Sequence, residues 1–128
     1  MKTFLVLVLA LSAFAYSSFS KPLDGSAWDV KVRENKLFAL GRKDTLIFDH
    51  GKFSSMERHS GGFAPARYDA QATKSGSVAT WQAESVDPEG RELDWRGQVE
   101  GDHIEGTMTS VSKDGISRAY AFKGKRRA

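Results

Sequence analysis

Residues 68–122 read YDAQATKSGSVATWQAESVDPEGRELDWRGQVEGDHIEGTMTSVSKDGISRAYAF, and the turns inside this stretch dictate how its parts pair. A short loop of known type sets the register of every residue behind it, so each turn states which side chains share a face. Gly101-Asp102, with Gly first, has the sequence of a type II′ loop. It sets Glu100 opposite His103, Val99 opposite Ile104, Gly97 opposite Gly106 and Trp95 opposite Met108. Asp87-Pro88-Glu89-Gly90 has Pro at the second position and Gly at the fourth, which suits a type I turn closed by a left-handed bulge residue. It sets Asp87 opposite Arg91, Ala83 opposite Trp95 and Trp81 opposite Gly97. Ser75-Gly76 closes the hairpin before it, with Ala72 beside Ala79, Ala70 beside Trp81 and Tyr68 beside Ala83. Lys113-Asp114-Gly115 admits two readings. A three-residue loop with Gly115 left-handed puts Tyr120 beside Met108 and Phe122 beside Gly106, whereas a two-residue Asp114-Gly115 turn would bring Ala119 and Ala121 inward. The first keeps a large ring over a small residue and is preferred.

All of these turns agree on one inside face. Trp81 lies over Ala70, Gly97 and, one strand further, Gly106, which gives an indole room without a clash. Large side chains facing small ones across every ladder are what the interior of a small closed barrel requires.

Working outward, Trp28, Val30 and Val32 alternate with Asp29, Lys31 and Arg33 and read as a first half-buried strand. Residues Glu34 to Gly41 break the alternation and end in Gly, so a short helical turn is expected between the first two strands, with Leu37, Phe38 and Leu40 inward as a plug. The next hairpin turns at His50-Gly51 and pairs Asp49 with Lys52 and Phe48 with Phe53. His59 to Pro65 reads as a flexible rim loop with Phe63 at its tip. The sum is an all-β fold, an eight-stranded antiparallel up-and-down barrel.

The ends of the chain read differently. Met1-Lys2-Thr3 followed by the apolar run Phe4 to Leu11 has the form of a secretory signal, so residues 1–20 are expected to be a signal peptide and 21–128 a single domain. Cleavage after Ala15 or after Ser20 fits equally. The expected localisation is therefore exported, periplasmic or extracellular, with no membrane span in the mature chain. The chain has no cysteine, so the exported domain must hold itself by burial alone. Its net charge is +3, of which Lys2 supplies one, and the two signs are interleaved, which argues against a nucleic-acid partner. Lys123 to Arg127 form a basic run expected to be a solvated, frayed terminus.

In topology the chain resembles the calycin group of lipocalins and avidin-like barrels. Gly25-Ser26-Ala27-Trp28 is one residue longer than the lipocalin Gly-x-Trp at the start of the first strand, and Lys123 or Arg126 is placed to pack as a cation on that Trp. The resemblance implies binding of a small, largely apolar ligand at the barrel mouth. The inward residues Trp28, Phe48, Phe53, Tyr68, Trp81, Trp95 and Tyr120 are the candidate ligand contacts, with the Tyr68 hydroxyl, Ser55, Ser85 and the indole N–H groups to orient it. The same load of rings can fill the barrel, leaving at most a small cavity near one end. The alternative is a filled barrel acting as a protein-interaction or inhibitor module through Phe63 and its glycines.

Other chemistry is poorly served. His50 and His103 sit at turns of one end and His59 at the other, so they do not converge on a metal, and no cofactor is expected. There is no thiol nucleophile, no Gly-x-Ser-x-Gly elbow and no phosphate loop, so the expectation is a protein that is not an enzyme. Glu84 opposite Asp94 on an outer face is read as local repulsion rather than a catalytic pair.

Overall fold

The computed structural model describes residues 23–36, 38–73 and 75–128. These form eight strands in chain order, β1 (Ser26–Glu34), β2 (Arg42–Asp49), β3 (Lys52–Ser55), β4 (Ala66–Ala72), β5 (Val78–Val86), β6 (Glu92–Glu100), β7 (His103–Val111) and β8 (Ser117–Arg126), and one helix, α1 (Met56–Ser60), between β3 and β4. Each strand runs antiparallel to the next, and β8 returns to pair with β1, so the sheet closes into a barrel. The expected segment 1–20 and Leu37 lie outside the described residues.

The registers are those the turns dictate. Trp81 stands opposite Ala70 and Gly97, Trp95 opposite Ala83 and Met108, and Gly106 opposite Gly97 and Phe122. Gly101 and Gly90 take φ of +61° and +86°, the left-handed values that a Gly-first type II′ loop and a bulge residue need. Met108 pairs with Tyr120, so the last hairpin uses the three-residue loop.

The centre of the barrel is solid. Phe48, Phe53, Tyr68, Trp81, Trp95 and Phe122 form one contiguous cluster with neighbouring ring centroids 4.8 to 6.0 Å apart in tilted or edge-on contact. Leu46, Ile104 and Met108 complete it, each 1% exposed or less. The small residues set the spacing. A Cβ on Gly97 would lie 2.8 Å from three atoms of the Trp81 ring. On Gly106 it would strike the Arg96 carbonyl of β6, and on Gly124 the Asp29 carbonyl of β1, so these glycines are where adjoining strands bend close enough to close the sheet.

Three expectations are corrected. The described residues of 34–41 form no helix: the Asn35 N–H still donates to Ala119 O at 2.7 Å, and Lys36 N–H turns back to Glu34 O at 2.8 Å. Phe38 and Leu40 point into solvent at 91% and 90% exposure, and Phe38 has φ of +62°. The helix forms at Met56 instead, because Ser55 Oγ accepts from Arg58 N–H at 3.1 Å while Gly61 N–H and Phe63 N–H close its other end on Arg58 O. This also replaces the flexible rim loop: Phe63 is 6% exposed, turned inward under the Arg91 guanidinium. Finally, the basic run is no frayed tail. Arg126 pairs with Trp28 in the β1–β8 ladder, Arg127 N–H donates to Ala27 O at 2.8 Å, and the Arg127 guanidinium holds the Asp29 carboxylate.

Gly97→Leu is expected to destabilise the protein by at least about 1–3 kcal/mol, because the added carbons meet the rigid Trp81 ring rather than a flexible side chain. Urea unfolding followed by tryptophan fluorescence measures this; an unchanged midpoint would contradict the packing of Trp81 on Gly97.

Candidate functional site

The two ends of the barrel differ in kind. At the end carrying the β2–β3 and β6–β7 turns, Leu23 and Trp28 are buried as a plug, 4% and 0% exposed. Trp28 Nε1 donates to Ser26 Oγ at 2.9 Å, Ser26 Oγ–H donates to Leu23 O, and the Arg126 guanidinium lies 5.5 Å from the Trp28 ring centroid. Of the two expected cations it is therefore Arg126 that packs on the Trp. The Asp24 carboxylate accepts from Gly51 N–H at 3.1 Å and from the Tyr68 hydroxyl at 2.6 Å, tying the N-terminal segment to β4 and the β2–β3 turn.

The opposite end is open. A recess of about 470 Å³ is floored by Trp95, Met108 and Phe63 and walled by Val32, Tyr120, Glu34, Arg42, Arg58 and Arg91. Its position follows from register: Trp95, Met108, Tyr120 and Glu34 are consecutive partners across β6, β7, β8 and β1, an inward row near the ends of the strands. The Arg58 guanidinium lies 5.4 Å above the Tyr120 ring and the Arg91 guanidinium 5.3 Å above Phe63. Among the described residues neither Arg58 nor Arg42 has a carboxylate within ion-pair reach. The recess is thus apolar below, and its rim sets Arg42, Lys43, Arg58 and Arg91 beside Leu40 and the carboxylates of Glu34, Asp44 and Glu57.

Two carboxylates hold this rim together. Asp44 accepts from the Ser55 hydroxyl and, at 3.1 Å, from Glu57 N–H, which fixes the start of α1 to β2. Asp87, 5% exposed, accepts from Arg91 N–H at 2.8 Å, from Arg91 Nε at 2.6 Å and from Glu89 N–H at 3.1 Å. Arg91 in turn donates to Gly61 O at 3.0 Å, so one arginine links the β5–β6 turn to the loop after α1. Burial pushes the Asp87 carboxyl up, but the hydrogen bonds and charge of Arg91 outweigh it and hold the group below its ordinary value. Asp29 is also held low, first by its hydrogen bond from Arg127.

The ligand contacts expected from sequence separate into two sets. Trp95, Tyr120 and Phe63 line the recess. Trp28, Phe48, Phe53, Tyr68 and Trp81 belong to the packed centre or the plugged end. The expected orienting groups are mostly engaged within the fold: Tyr68 on Asp24, Ser55 on Asp44 and the α1 cap, Trp28 on Ser26. Trp81 Nε1 alone is buried with no hydrogen-bond partner among the described residues, wedged beside Gly97. Arg58, Arg91, Asp44 and Asp87 were not singled out from sequence. Asp87 at the first position of a Pro-Glu-Gly turn and Ser55 ahead of Glu57 were the available signals, for an Asx turn and a helix cap respectively.

His59 Nδ1 lies 3.1 Å from Phe63 O, His50 pairs with Asp49 at 3.0 Å, and His103 stands opposite Glu100. Among the described residues no three His, Cys, Asp or Glu gather as metal ligands. Glu84 and Asp94 do face one another on the outer surface, with the Arg96 guanidinium 3.4 Å from Asp94. No described helix is long and apolar enough to cross a membrane. Comparison with known proteins gave no match to a family model, a curated protein or a solved structure.

Because the Asp87 value is lower in the folded chain, its contribution to stability is complete above the ordinary carboxylate value of about 4 and is lost as pH falls through the folded value. Asp87→Asn is therefore expected to lower the thermal midpoint at pH 7 and to shrink the difference from wild type between about pH 4 and pH 2. Thermal unfolding of both proteins across that range checks it; a constant difference would remove Asp87 from the acid response.

Proposed function

We propose that this chain is an exported, lipocalin-like binding protein rather than an enzyme, and that it takes a small, largely apolar ligand at the open end of its barrel. The observation that carries the reading is the recess: an aromatic and thioether floor under a rim of arginines, at the one end that no plug closes. Its volume falls within the few hundred Å³ typical of small-ligand sites. The closed topology, the Trp28–Arg126 stacking and the plugged end support the calycin resemblance.

The geometry refines what the ligand should be. An apolar body fits against Trp95, Met108 and Val32, and a carboxylate, sulfonate or phosphate head meets Arg58 and Arg42, which lack acidic partners. The filled centre limits the ligand to a shallow seat, so the ligand is short. Phe63, buried under Arg91, is a poor candidate for the tip of an inhibitor loop.

The test is titration with an anilinonaphthalene sulfonate, an apolar body with an acidic head, followed by probe fluorescence. Val32→Trp, which fills the recess from its wall, is expected to abolish binding. Arg58→Gln is expected to weaken it by roughly ten-fold, about 1.4 kcal/mol, while leaving an uncharged analogue unaffected. Equal binding by wild type and Val32→Trp would rule the recess out as the site. Native mass spectrometry of protein purified from its own source would name the ligand class.

A further inference from the structure

The β1–β2 connection leaves two large apolar side chains in water, and three lysines adjoin one another on the outer face behind it. Phe38 and Leu40 are 91% and 90% exposed, within one loop. Phe38 is held at φ of +62°, a backbone conformation that bulky residues rarely adopt and that turns its ring away from the barrel. Phe38, Leu40, Met56, Val86 and Ile116 are the exposed large apolar residues of the described chain, and only the first two sit together in one turn.

The cations come together through pairing that no local sequence shows. Lys31 of β1 stands directly opposite Lys43 of β2 on one side and opposite Lys123 of β8 on the other. All three are exposed and on the outer face. Lysines facing one another across a ladder repel, and sheets ordinarily avoid the arrangement. Arg33 and Lys125 extend the row along the strands on either side, at a spacing of about 5 Å across and about 7 Å along. Among the described residues none of these five has a carboxylate within ion-pair distance: Asp29, the nearest acid along β1, is held by Arg127, and Glu105, opposite Lys123 in the β7–β8 ladder, accepts from Gln98. The row also reaches the loop: the Lys31 stem lies against Gly41, where an added Cβ would come within 2.6 Å of its Cγ.

An apolar pair at a loop tip with a row of lysines free of ion pairs beside it matches one kind of surface, an anionic lipid bilayer, where rings and branched chains enter the headgroup boundary while lysines meet phosphates. We propose that the chain docks peripherally on anionic membranes through the Phe38–Leu40 loop and the Lys43–Lys31–Lys123 row. A soluble polyanion would be served by the lysines but gives Phe38 and Leu40 nothing to bury into. A protein groove would be served by the apolar pair but gives the lysine row no role. The proposal does not depend on occupancy of the recess.

The experiment is vesicle sedimentation with the chain as recovered from its source, comparing phosphatidylcholine vesicles with vesicles containing about a third phosphatidylglycerol. The anionic vesicles are expected to bind at least about ten-fold more tightly, with the preference falling as salt is raised. Phe38→Ser, and separately Lys31→Gln with Lys123→Gln, are each expected to cost at least about five-fold on anionic vesicles with unchanged unfolding midpoints. All variants share one N-terminus, so the differences belong to the loop and the row. Equal binding to both vesicle types, unchanged binding by Phe38→Ser, or binding to heparin without binding to vesicles would each overturn the proposal. Failure here leaves the probe titration at the recess untouched, and the reverse also holds.

Discussion

The contact between the Trp81 ring and Gly97 is the constraint on which the rest of the barrel depends. A fully buried indole in the middle of a small sheet needs a neighbour with no side chain, and Gly97 supplies it with ring atoms already as close as 2.8 Å to where a Cβ would sit. That pairing fixes the β5–β6 register, and every later register follows by short turns. Gly106 and Gly124 then remove the Cβ atoms that would keep β6 from β7 and β8 from β1. The row of large-over-small pairs is therefore both the packing rule of the interior and the reason the sheet can curl until its edges meet. The cost is one buried donor, Trp81 Nε1, without a hydrogen-bond partner among the described residues.

A centre filled in this way forces any binding to an end. One end is occupied by Leu23 and Trp28, with Asp24 fastening the plug to the Tyr68 hydroxyl and the β2–β3 turn. The other end holds the recess, floored along the inward row of Trp95, Met108 and Tyr120 and edged by Leu40 of the β1–β2 loop. Had residues 34–41 formed a helix across that mouth, Phe38 and Leu40 would have sealed it. Their outward placement leaves the recess and the exposed apolar pair as two results of one loop conformation.

What the sequence makes legible follows the range of the interaction that decides it. The registers from Tyr68 to Phe122 are readable because each depends on a turn of two to four residues with Gly or Pro at a telling position, and because the inside faces must agree with one another. That a cation near the end of the last strand packs on Trp28 is what the calycin resemblance implies, and only the structure selects Arg126 over Lys123. The loop at 34–41 is not, since its Leu, Phe and Leu look like a helical face and only the ladder bond from Asn35 to β8 shows otherwise. Helix α1 spans five residues, too short for periodicity, and rests on an Asp44 that is eleven residues from the Ser55 it holds. The arginine rim shares that difficulty: Arg58 and Arg91 converge only once α1 and the β5–β6 turn are both placed.

The lysine row shows the same limit from the side of charge. Along the chain Lys31, Lys43 and Lys123 each sit among residues of both signs, and the count from Lys21 onward is nearly balanced. Closure of β8 onto β1 brings the third lysine to within one strand of the first, and the β1–β2 hairpin brings the second. An interleaved sequence thus folds into a surface on which one sign dominates locally, because pairing matches residues by register and not by charge. The nearby acids have other partners: Asp29 holds Arg127, Asp44 the α1 cap, Glu34 Lys36 at the mouth, and Glu105, across the ladder from Lys123, accepts from Gln98. The lysine row is therefore a direct product of the closure that makes the barrel, and it lies against the loop that leaves Phe38 and Leu40 in water.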